Sequence, residues 1–148
     1  MRRDWTELAK KFQYELLKQV FFGQDVIRFV KDFVSDFKKG KYDNLLIYKK
    51  AIRKGLQEYT KTTPPHVKAA RKLPPNELKR VLTETNVIQY LMTTQGPEPI
   101  GFVKHEIDKE HYLEKQIKPI ADSILEPLHL DFETAVREQH GLGKFIEK

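Results

Sequence analysis

Apolar residues recur every three to four positions through the first 40 residues, which is the period of an amphipathic helix. Asp4 can cap a first helix, with Glu7 completing a capping box, and Gly23 ends it. A second helix is predicted from about Asp25 to Gly40, where glycine suits a left-handed cap. We expect the two helices to pack as an antiparallel hairpin through their apolar faces. These faces are formed by Trp5, Leu8, Phe12, Leu16 and Val20, and by Val26, Phe29, Val30, Phe33, Val34 and Phe37.

The middle of the chain follows no single period. Residues 45–48 form a short apolar run that fits either a strand or the start of a helix, and residues 49–59 fit a helix or a turn interrupted by a glycine. The proline pair at 64–65 stops any preceding helix and suits the first turn of a new one, which we expect to run to Leu73. Residues 76–84 are predicted to be a polar linker or a short helix.

The last third of the chain predicts a β-hairpin followed by one long helix. Residues 87–92 are rich in β-branched and aromatic side chains, residues 96–99 favour a turn, and residues 100–103 suit the partner strand. Asp108 can cap the last helix, which Pro119 should kink without ending it. The expected core face of that helix is Tyr112, Leu113, Ile117, Ile120, Ala121, Ile124 and Leu128. The pattern as a whole predicts a mainly α fold of the α+β class.

Length and composition fit a globular protein. A chain of 148 residues is the size of a single domain, although two small subdomains are an alternative. It contains no Cys, which excludes a disulfide framework and thiolate chemistry and fits a reducing cytoplasm. No apolar run approaches 18 residues, and the N-terminus lacks a signal-peptide pattern. We therefore expect an intracellular protein that does not enter a membrane.

The positive charge of the chain is local. Residues 49–80 contain ten Lys or Arg against two Glu, whereas the net charge of the whole chain is only +6. A local basic patch indicates a polyanionic partner, with nucleic acid as the first candidate. Such runs are also often solvated surfaces, so a structural protein with an idle basic face is an alternative.

The candidate DNA-binding residues belong to this basic block. We expect the helix that begins at the proline pair to present its first amide groups to a phosphate, beside Thr62, Thr63 and His66. The full candidate set is Lys49, Lys50, Arg53, Lys54, Tyr59, Lys61, Thr62, His66, Lys68, Arg71 and Lys72.

Motifs for catalysis are missing from the sequence. There is no Walker loop, no Gly-rich dinucleotide fingerprint and no Gly-x-Ser-x-Gly elbow. His105, Glu106, Asp108, Glu110 and His111 cluster, but their spacing matches none of the usual metal-ligand patterns. We expect an acid-rich helix start there, with neither a metal site nor catalytic residues.

Three blocks of the chain carry a family resemblance. They are Arg2-Arg3-Asp4-Trp5; Tyr59 with Pro64-Pro65-His66-Val67-Lys68-Ala69-Ala70-Arg71; and His111-Tyr112-Leu113-Glu114-Lys115-Gln116 with Pro119-Ile120-Ala121 and Ile124-Leu125. In this order they resemble the C-terminal part of family B DNA polymerases of the bacterial DNA polymerase II type. The resemblance implies that residues 1–138 are the polymerase thumb, with an N-terminal helical hairpin, a small β-hairpin and a long C-terminal helix.

The resemblance also implies a function and partners. The thumb would grip double-stranded primer-template DNA through its phosphates during replication or repair synthesis, in the cytoplasm at the nucleoid. The parent nucleotidyltransferase is expected to use Mg²⁺, held by palm carboxylates on Asp-x-x-Ser-Leu-Tyr-Pro and Tyr-Gly-Asp-Thr-Asp motifs. Neither motif occurs in this sequence. The chain is therefore expected to need no cofactor itself, to be inactive alone, and to work with the palm and the remaining polymerase domains.

The last ten residues, 139–148, resemble the short motif with which polymerases bind a sliding clamp. Gln139 is followed by Leu142 three positions on and by Phe145 and Ile146 at the sixth and seventh positions. Three apolar side chains on one turn can fill a pocket while the glutamine hydrogen-bonds its rim. The alternative is a tail that folds back on its own domain.

Another function class is compatible with the same basic patch. A stand-alone nucleic-acid-binding module, or a non-catalytic polymerase subunit, would show it as well. A polymerase thumb requires palm motifs upstream in the gene or in a separate subunit, so the upstream gene sequence distinguishes these alternatives.

Overall fold

A computed structural model of the chain describes residues 5–53 and 63–137. The chain divides into two compact units. Unit 1 comprises Met1–Thr6 and Leu46–Asp108, and unit 2 comprises Glu7–Leu45 and Lys109–Lys148. The alternative of two small subdomains therefore describes the packing better than one continuous domain. The predicted cap at Asp4 lies outside the described residues.

Unit 2 begins with the two predicted helices, which the structure confirms. Helix α1 spans Glu7–Phe21 and helix α2 spans Val26–Lys38. Asp25 caps α2, because its carboxylate accepts a hydrogen bond of 3.0 Å from the amide of Arg28. Gly40 follows α2 with φ of +93°, the left-handed conformation that the sequence predicted for this glycine. A short 3₁₀ turn, Asp43–Leu45, ends this part of the unit.

Aromatic rings join α1 to α2. Leu8, Phe12 and Leu16 on α1 are fully buried. The ring of Phe12 lies 4.9 Å from that of Phe33 and 6.1 Å from that of Phe29, between ring centroids. These distances are those of favourable aromatic pairs, so the predicted apolar faces do pack together.

The second half of unit 2 is the long C-terminal helix, which contains one irregular turn. It consists of helix α5 (Lys109–Tyr112), a π-helical turn (Leu113–Ile117), helix α6 (Lys118–Leu125) and a 3₁₀ turn (Glu126–Leu128). In the π turn the amide of Lys118 donates to the carbonyl of Leu113, five residues back. Pro119 follows directly in the first turn of α6. The prediction that this proline does not end the helix is confirmed, and the distortion that accompanies it is the π turn.

The end of the helix corrects the predicted core face. The 3₁₀ turn at Glu126–Leu128 has about three residues per turn, so the α-helical period of the prediction does not continue to Leu128. Leu128 is exposed and Ile124 is only half-buried, whereas Leu125 is fully buried. The earlier part of the predicted face, from Tyr112 to Ala121, is buried as expected.

Unit 1 contains a three-stranded antiparallel sheet with the order β1-β2-β3. The strands are β1 (Tyr48–Ala51), β2 (Val87–Thr93) and β3 (Gly96–Pro99). Tyr90 of β2 lies opposite Tyr48 of β1 and Pro99 of β3. The apolar run at 45–48 thus leads into a strand, and residues 49–51, for which a helix or turn was predicted, continue that strand.

The position of β3 differs from the prediction. The sequence predicted a turn at 96–99 and the partner strand at 100–103, but the strand is Gly96–Pro99 and the turn lies at residues 94–95. The prolines are tolerated because β3 is an edge strand, which leaves one side of the backbone without a ladder partner. The hydroxyl of Thr93 shapes the turn, because it donates to the Gly96 carbonyl at 2.7 Å and accepts from the Gln95 amide at 3.1 Å.

Two helices complete unit 1. Helix α3 (Pro65–Ala70) packs against β2 and β3, and its Val67, Ala69 and Ala70 are fully buried. It ends at Ala70, three residues before the predicted end. Helix α4 (Pro75–Glu84) occupies the segment that was predicted as a linker or a short helix. Among the described residues, no helix combines the length and the apolar character needed to cross a membrane.

Candidate nucleic-acid interface

The entire net charge of the chain belongs to unit 1. The sequence of unit 1 carries 13 Lys and Arg against 7 Asp and Glu, whereas unit 2 carries 14 of each. A surface that attracts a polyanion has to combine such an excess with side chains that are exposed and not already neutralised.

Helix α3 and the turn behind it present three of the predicted cations on one side. Lys68, Arg71 and Lys72 are spaced i, i+3 and i+4, which places them on the same helical face, and all three are exposed. The residues between them, Ala69 and Ala70, are buried against the rest of unit 1. The local sequence Lys-Ala-Ala-Arg-Lys thus separates a packed face from a charged one.

Strand β1 contributes two more of the predicted residues, on opposite faces of the sheet. Successive side chains of a strand point to opposite faces. The register places Lys50 opposite Ile88 and Lys49 opposite Gln89. Both lysines are exposed, as is Arg53 beyond the end of the strand. The sheet therefore separates two neighbours that the sequence grouped together.

Among the residues that the structure describes, ion pairs neutralise more cations of unit 2 than of unit 1. Unit 2 contains the pairs Lys10–Glu7, Lys11–Glu15, Arg28–Asp32, Lys41–Asp36, Lys109–Asp43, Lys118–Glu114 and Lys118–Glu133. In unit 1, by contrast, Lys49, Lys50, Arg53, Lys68 and Lys79 form no ion pair with any acid in the described ranges 5–53 and 63–137. Their charges remain available to an external anion.

Lys72 and Arg80 of unit 1 are held by other groups of the protein. The ammonium of Lys72 donates to the Pro97 carbonyl at 2.7 Å, which ties the turn after α3 to strand β3. The guanidinium of Arg80 lies 2.8 Å from the Glu77 carboxylate and 3.6 Å from that of Glu84. The hydrogen bond to Glu77 raises the pKa of Arg80 above its usual value. These two side chains are less available to a ligand than Lys68 or Lys79.

His66 does not belong to the exposed set. Its side chain is buried, with 7% of the residue's surface exposed. Burial lowers the pKa of His66 below 6.5, and the nearby positive charge of Lys50 lowers it further. The imidazole is therefore neutral at pH 7 and cannot supply a positive charge to a phosphate. Its burial favours a role in the packing of α3, and its assignment as a DNA contact stays a prediction.

The start of α3 also offers few free amide groups for the predicted phosphate site. The N-cap residue Pro64 and the first helical residue Pro65 have no N–H group. The amides of Val67 and Lys68 both donate to the Pro64 carbonyl at 3.1 Å. A helix of six residues also has only a weak dipole. Within unit 1, side-chain charge rather than the helix terminus is the basis for anion binding.

Several predicted site residues lie outside the described part of the chain. These are Lys54, Tyr59, Lys61 and Thr62, and the clamp-binding residues Gln139, Leu142, Phe145 and Ile146. Their assignments stay predictions.

Two exposed lysines of unit 1, Lys79 and Lys104, are absent from the predicted set of DNA contacts. Lys79 on α4 is exposed and belongs to the basic block that the charge count had identified, so the count itself was the available signal. Lys104 is exposed in the segment after β3. It lies outside that block, and no sequence pattern pointed to it.

His105, one member of the predicted cluster of acids and histidines, contacts a buried carboxylate. Glu98 of β3 is buried and accepts hydrogen bonds from the amides of Lys104 at 2.7 Å and His105 at 3.1 Å, and it pairs with the Nδ1 atom of His105. No group of three or more metal-ligating side chains that could hold an ion occurs among the residues that the structure describes.

Comparison with known proteins decides the family. The profile of DNA polymerase family B matches residues 1–134. The chain belongs to DNA polymerase family B. Its relatives include DNA polymerase II of Escherichia coli strain K12, which is 36% identical over 146 residues, covering 96% of this chain and 19% of the relative. A DNA polymerase of Thermococcus gorgonarius is 30% identical over 164 residues, covering 99% of this chain and 21% of that protein.

A solved structure of the family shows the same fold. The family B DNA polymerase of Pyrobaculum calidifontis superposes with a TM-score of 0.61 at 29% identity, over 79% of this chain and 17% of that one. This family B polymerase chain spans about a fifth of the length of the curated relatives it matches. Its mainly α fold with a small antiparallel sheet is thus that of one portion of a much longer enzyme.

Proposed function

We propose that this chain is the DNA-binding thumb of a family B DNA-directed DNA polymerase. In this proposal, unit 1 grips the primer-template duplex while the other domains of the enzyme carry out synthesis. The observation that carries the proposal is the charge distribution: the whole excess of +6 belongs to unit 1, and its exposed lysines are not neutralised by described acids.

The side chains of unit 1 suit phosphate contacts rather than base reading. Lys49, Lys50 and Lys68 are point charges on flexible stems. They can contact a phosphate backbone whatever the base sequence of the DNA. A polymerase has to bind every sequence that it copies. Phosphate contacts meet this requirement, and they make the affinity strongly dependent on salt.

The chemical step belongs elsewhere in the enzyme. Nucleotide transfer by two Mg²⁺ ions requires the palm carboxylates, and the motifs that carry them do not occur in this sequence. This chain contributes affinity and residence time on DNA, in replication or repair synthesis at the nucleoid. Alone, it should bind duplex DNA weakly, with a Kd on the order of 10⁻⁴ to 10⁻⁶ M, and incorporate no nucleotide.

The decisive experiment compares two double variants of the complete polymerase. Lys50→Ala with Lys68→Ala removes two exposed charges of unit 1, and Lys38→Ala with Lys39→Ala removes two exposed charges of unit 2. The Kd for a primer-template duplex is measured between 50 and 300 mM KCl. Each lost phosphate contact should reduce the slope of log K against log salt by about 1. We expect the slope to fall by about 2 for the first variant and to stay unchanged for the second.

Processivity should follow affinity in this comparison. The first variant should synthesise shorter products at each encounter, with an unaltered single-turnover rate of nucleotide addition. An unchanged salt slope for Lys50→Ala with Lys68→Ala, or an equal fall for the unit 2 variant, would contradict the assignment of unit 1 as the DNA-binding surface.

We propose in addition that residues 139–148 bind a sliding clamp. The support is the sequence pattern of Gln139, Leu142, Phe145 and Ile146 on a member of a DNA polymerase family. Leu142→Ala with Phe145→Ala should abolish stimulation of synthesis by the clamp and leave synthesis without the clamp unaltered. If the double variant loses both activities equally, the side chains support the fold and the clamp assignment fails.

A further inference from the structure

Helix α1 presents an apolar surface that unit 2 leaves uncovered. Tyr14, Leu17, Phe21 and Phe22 have exposed fractions of 64%, 47%, 83% and 64%. We call this set the α1 stripe. Single exposed apolar side chains are ordinary, but four within nine residues, three on the second half of α1 and Phe22 directly after it, are not.

The stripe lies on the side of α1 opposite its core. Tyr14, Leu17 and Phe21 follow the spacing i, i+3 and i+7, which lines up one face at about 100° per residue. By the same spacing, Leu8, Phe12 and Leu16, which are fully buried, point to the other side of the helix. The stripe therefore cannot join the core of unit 2 by a change of rotamer.

The stripe is ordered within itself and bordered by charge. The rings of Phe21 and Phe22 meet edge to face, with 5.2 Å between centroids and 82° between planes. The ammonium of Lys18 lies 5.3 Å from the centroid of the Tyr14 ring. An apolar centre with a charged rim is the usual composition of a protein interface.

The size of the stripe indicates the kind of partner. Aromatic side chains offer about 150 to 250 Å² each, so the exposed fractions amount to roughly 400 to 500 Å². A stable complex between separate proteins requires about 800 Å² from each partner. Contacts between domains of one chain are smaller, because the covalent connection supplies a high effective concentration.

We propose that the α1 stripe docks onto an apolar protein surface of the same polymerase polypeptide, outside these 148 residues. Relatives of this chain are about five times as long, so four-fifths of the enzyme is available as the partner. Nucleic acid fits less well, because unit 2 has equal numbers of acidic and basic residues and offers no general attraction to phosphates. A second copy of the chain fits less well because of the area.

The test places a photocrosslinker in the stripe of the complete polymerase. Tyr14 is replaced by p-benzoylphenylalanine, the protein is irradiated without DNA, and crosslinked peptides are identified by mass spectrometry. A second protein carries the crosslinker in place of Lys39, an exposed residue elsewhere in unit 2. We expect Tyr14 to crosslink within the monomer to a polymerase segment outside these 148 residues, and Lys39 not to reach that segment.

Substitutions in the stripe then show whether the apolar surface itself makes the contact. Leu17→Ser with Phe21→Ser should reduce the crosslink yield by about fivefold or more, because buried anchors dominate such interfaces. Leu128→Ser is the matched control, since it removes an apolar side chain of unit 2 that is 41% exposed, similar to Leu17 at 47%. This control should leave the yield unchanged.

Four results would overturn the proposal. They are a crosslink between two copies of the polymerase, a crosslink that forms only with added DNA, no crosslink above that of the Lys39 position, and a yield indifferent to the Leu17 and Phe21 substitutions. Because the readout requires neither DNA binding nor synthesis, its failure is distinguishable from failure of the thumb assignment.

Discussion

Replacing Glu98 by Gln should make the free energy of unfolding of unit 1 depend less on pH in the acidic range. Glu98 is a buried carboxylate on the edge strand β3, and it holds the segment that follows the strand through the amides of Lys104 and His105. Burial by itself raises the pKa of Glu98. The hydrogen bonds from the His105 ring and from the two amides outweigh this effect and lower the pKa from 4.5 to about 2.

The contribution of Glu98 to stability can be calculated from its two pKa values. The difference between 4.5 and about 2 corresponds to roughly 3 kcal/mol at 1.36 kcal/mol per pKa unit. Since its partner His105 is half-exposed, solvent screening should reduce this contribution to about 1 to 2 kcal/mol. The folded pKa is depressed, so the stabilisation is complete above pH 4.5 and is lost as the pH falls through about 2.

The assay is urea unfolding of the 148-residue chain and two variants at pH 7, 4.5 and 3. We expect Glu98→Gln to lower the free energy of unfolding by about 1 to 2 kcal/mol at pH 7, and this difference from the unsubstituted protein to shrink at pH 3. Glu106→Gln, which changes an exposed acid of the same segment, should have little effect at any of these pH values. A difference for Glu98→Gln that stays constant from pH 7 to pH 3 would refute the reasoning.

Three further substitutions test the fold by urea unfolding. Phe12→Ala removes the ring that joins α1 to α2 and should cost about 3 to 5 kcal/mol, with loss of the near-ultraviolet aromatic signal of unit 2. Gly40→Ala should lower the free energy of unfolding by about 1 to 2 kcal/mol, because φ is +93° and a new Cβ would lie 3.2 Å from Asp43 Oδ2. Gly101→Ala is the comparison: φ is +89° but no neighbour lies within 4 Å, so it should lower the free energy of unfolding by less. Thr93→Val should cost about 1 to 2 kcal/mol by removing the hydroxyl that closes the turn between β2 and β3, and Thr93→Ser should restore most of it.

Local patterns predicted α1 and α2 well, because both have an uninterrupted period and a clear terminal signal. Asp25 and Gly40 bound α2 as expected, and both act through backbone geometry that depends only on neighbouring residues. Pro64 and Pro65 likewise marked the start of α3. Information of this kind is contained in a few consecutive residues.

The failures came from interactions between distant segments. Pro97 and Pro99 favour a turn locally, yet they occupy a strand because pairing with β2 and the edge position of β3 prevail. Burial of His66 depends on the packing of α3 against the sheet, which the sequence near it does not encode. The π turn at Leu113–Ile117 has no signature except the proline that follows it.

The sequence predicted the positive charge of the candidate site better than it predicted which residues belong to the site. A count of residues found the basic block, and the same count contained Lys79, which belongs with the exposed cations. Whether a cation is free or already bound depends on tertiary contacts. Lys72 reaches the Pro97 carbonyl, 25 residues away, and no local pattern announces that hydrogen bond.

The order of the segments along the chain affects how the protein folds during synthesis. All three strands of unit 1 lie between Tyr48 and Pro99, whereas unit 2 packs α1 against α6, about 100 residues later. A ribosome therefore synthesises the three described strands of the sheet before it synthesises α6, the partner of α1. Contacts at such long sequence separation form slowly. Until α6 has been synthesised, Leu8, Phe12 and Leu16 lie on a helix whose later packing partner is missing, so their apolar surface is covered less during synthesis than in the folded unit.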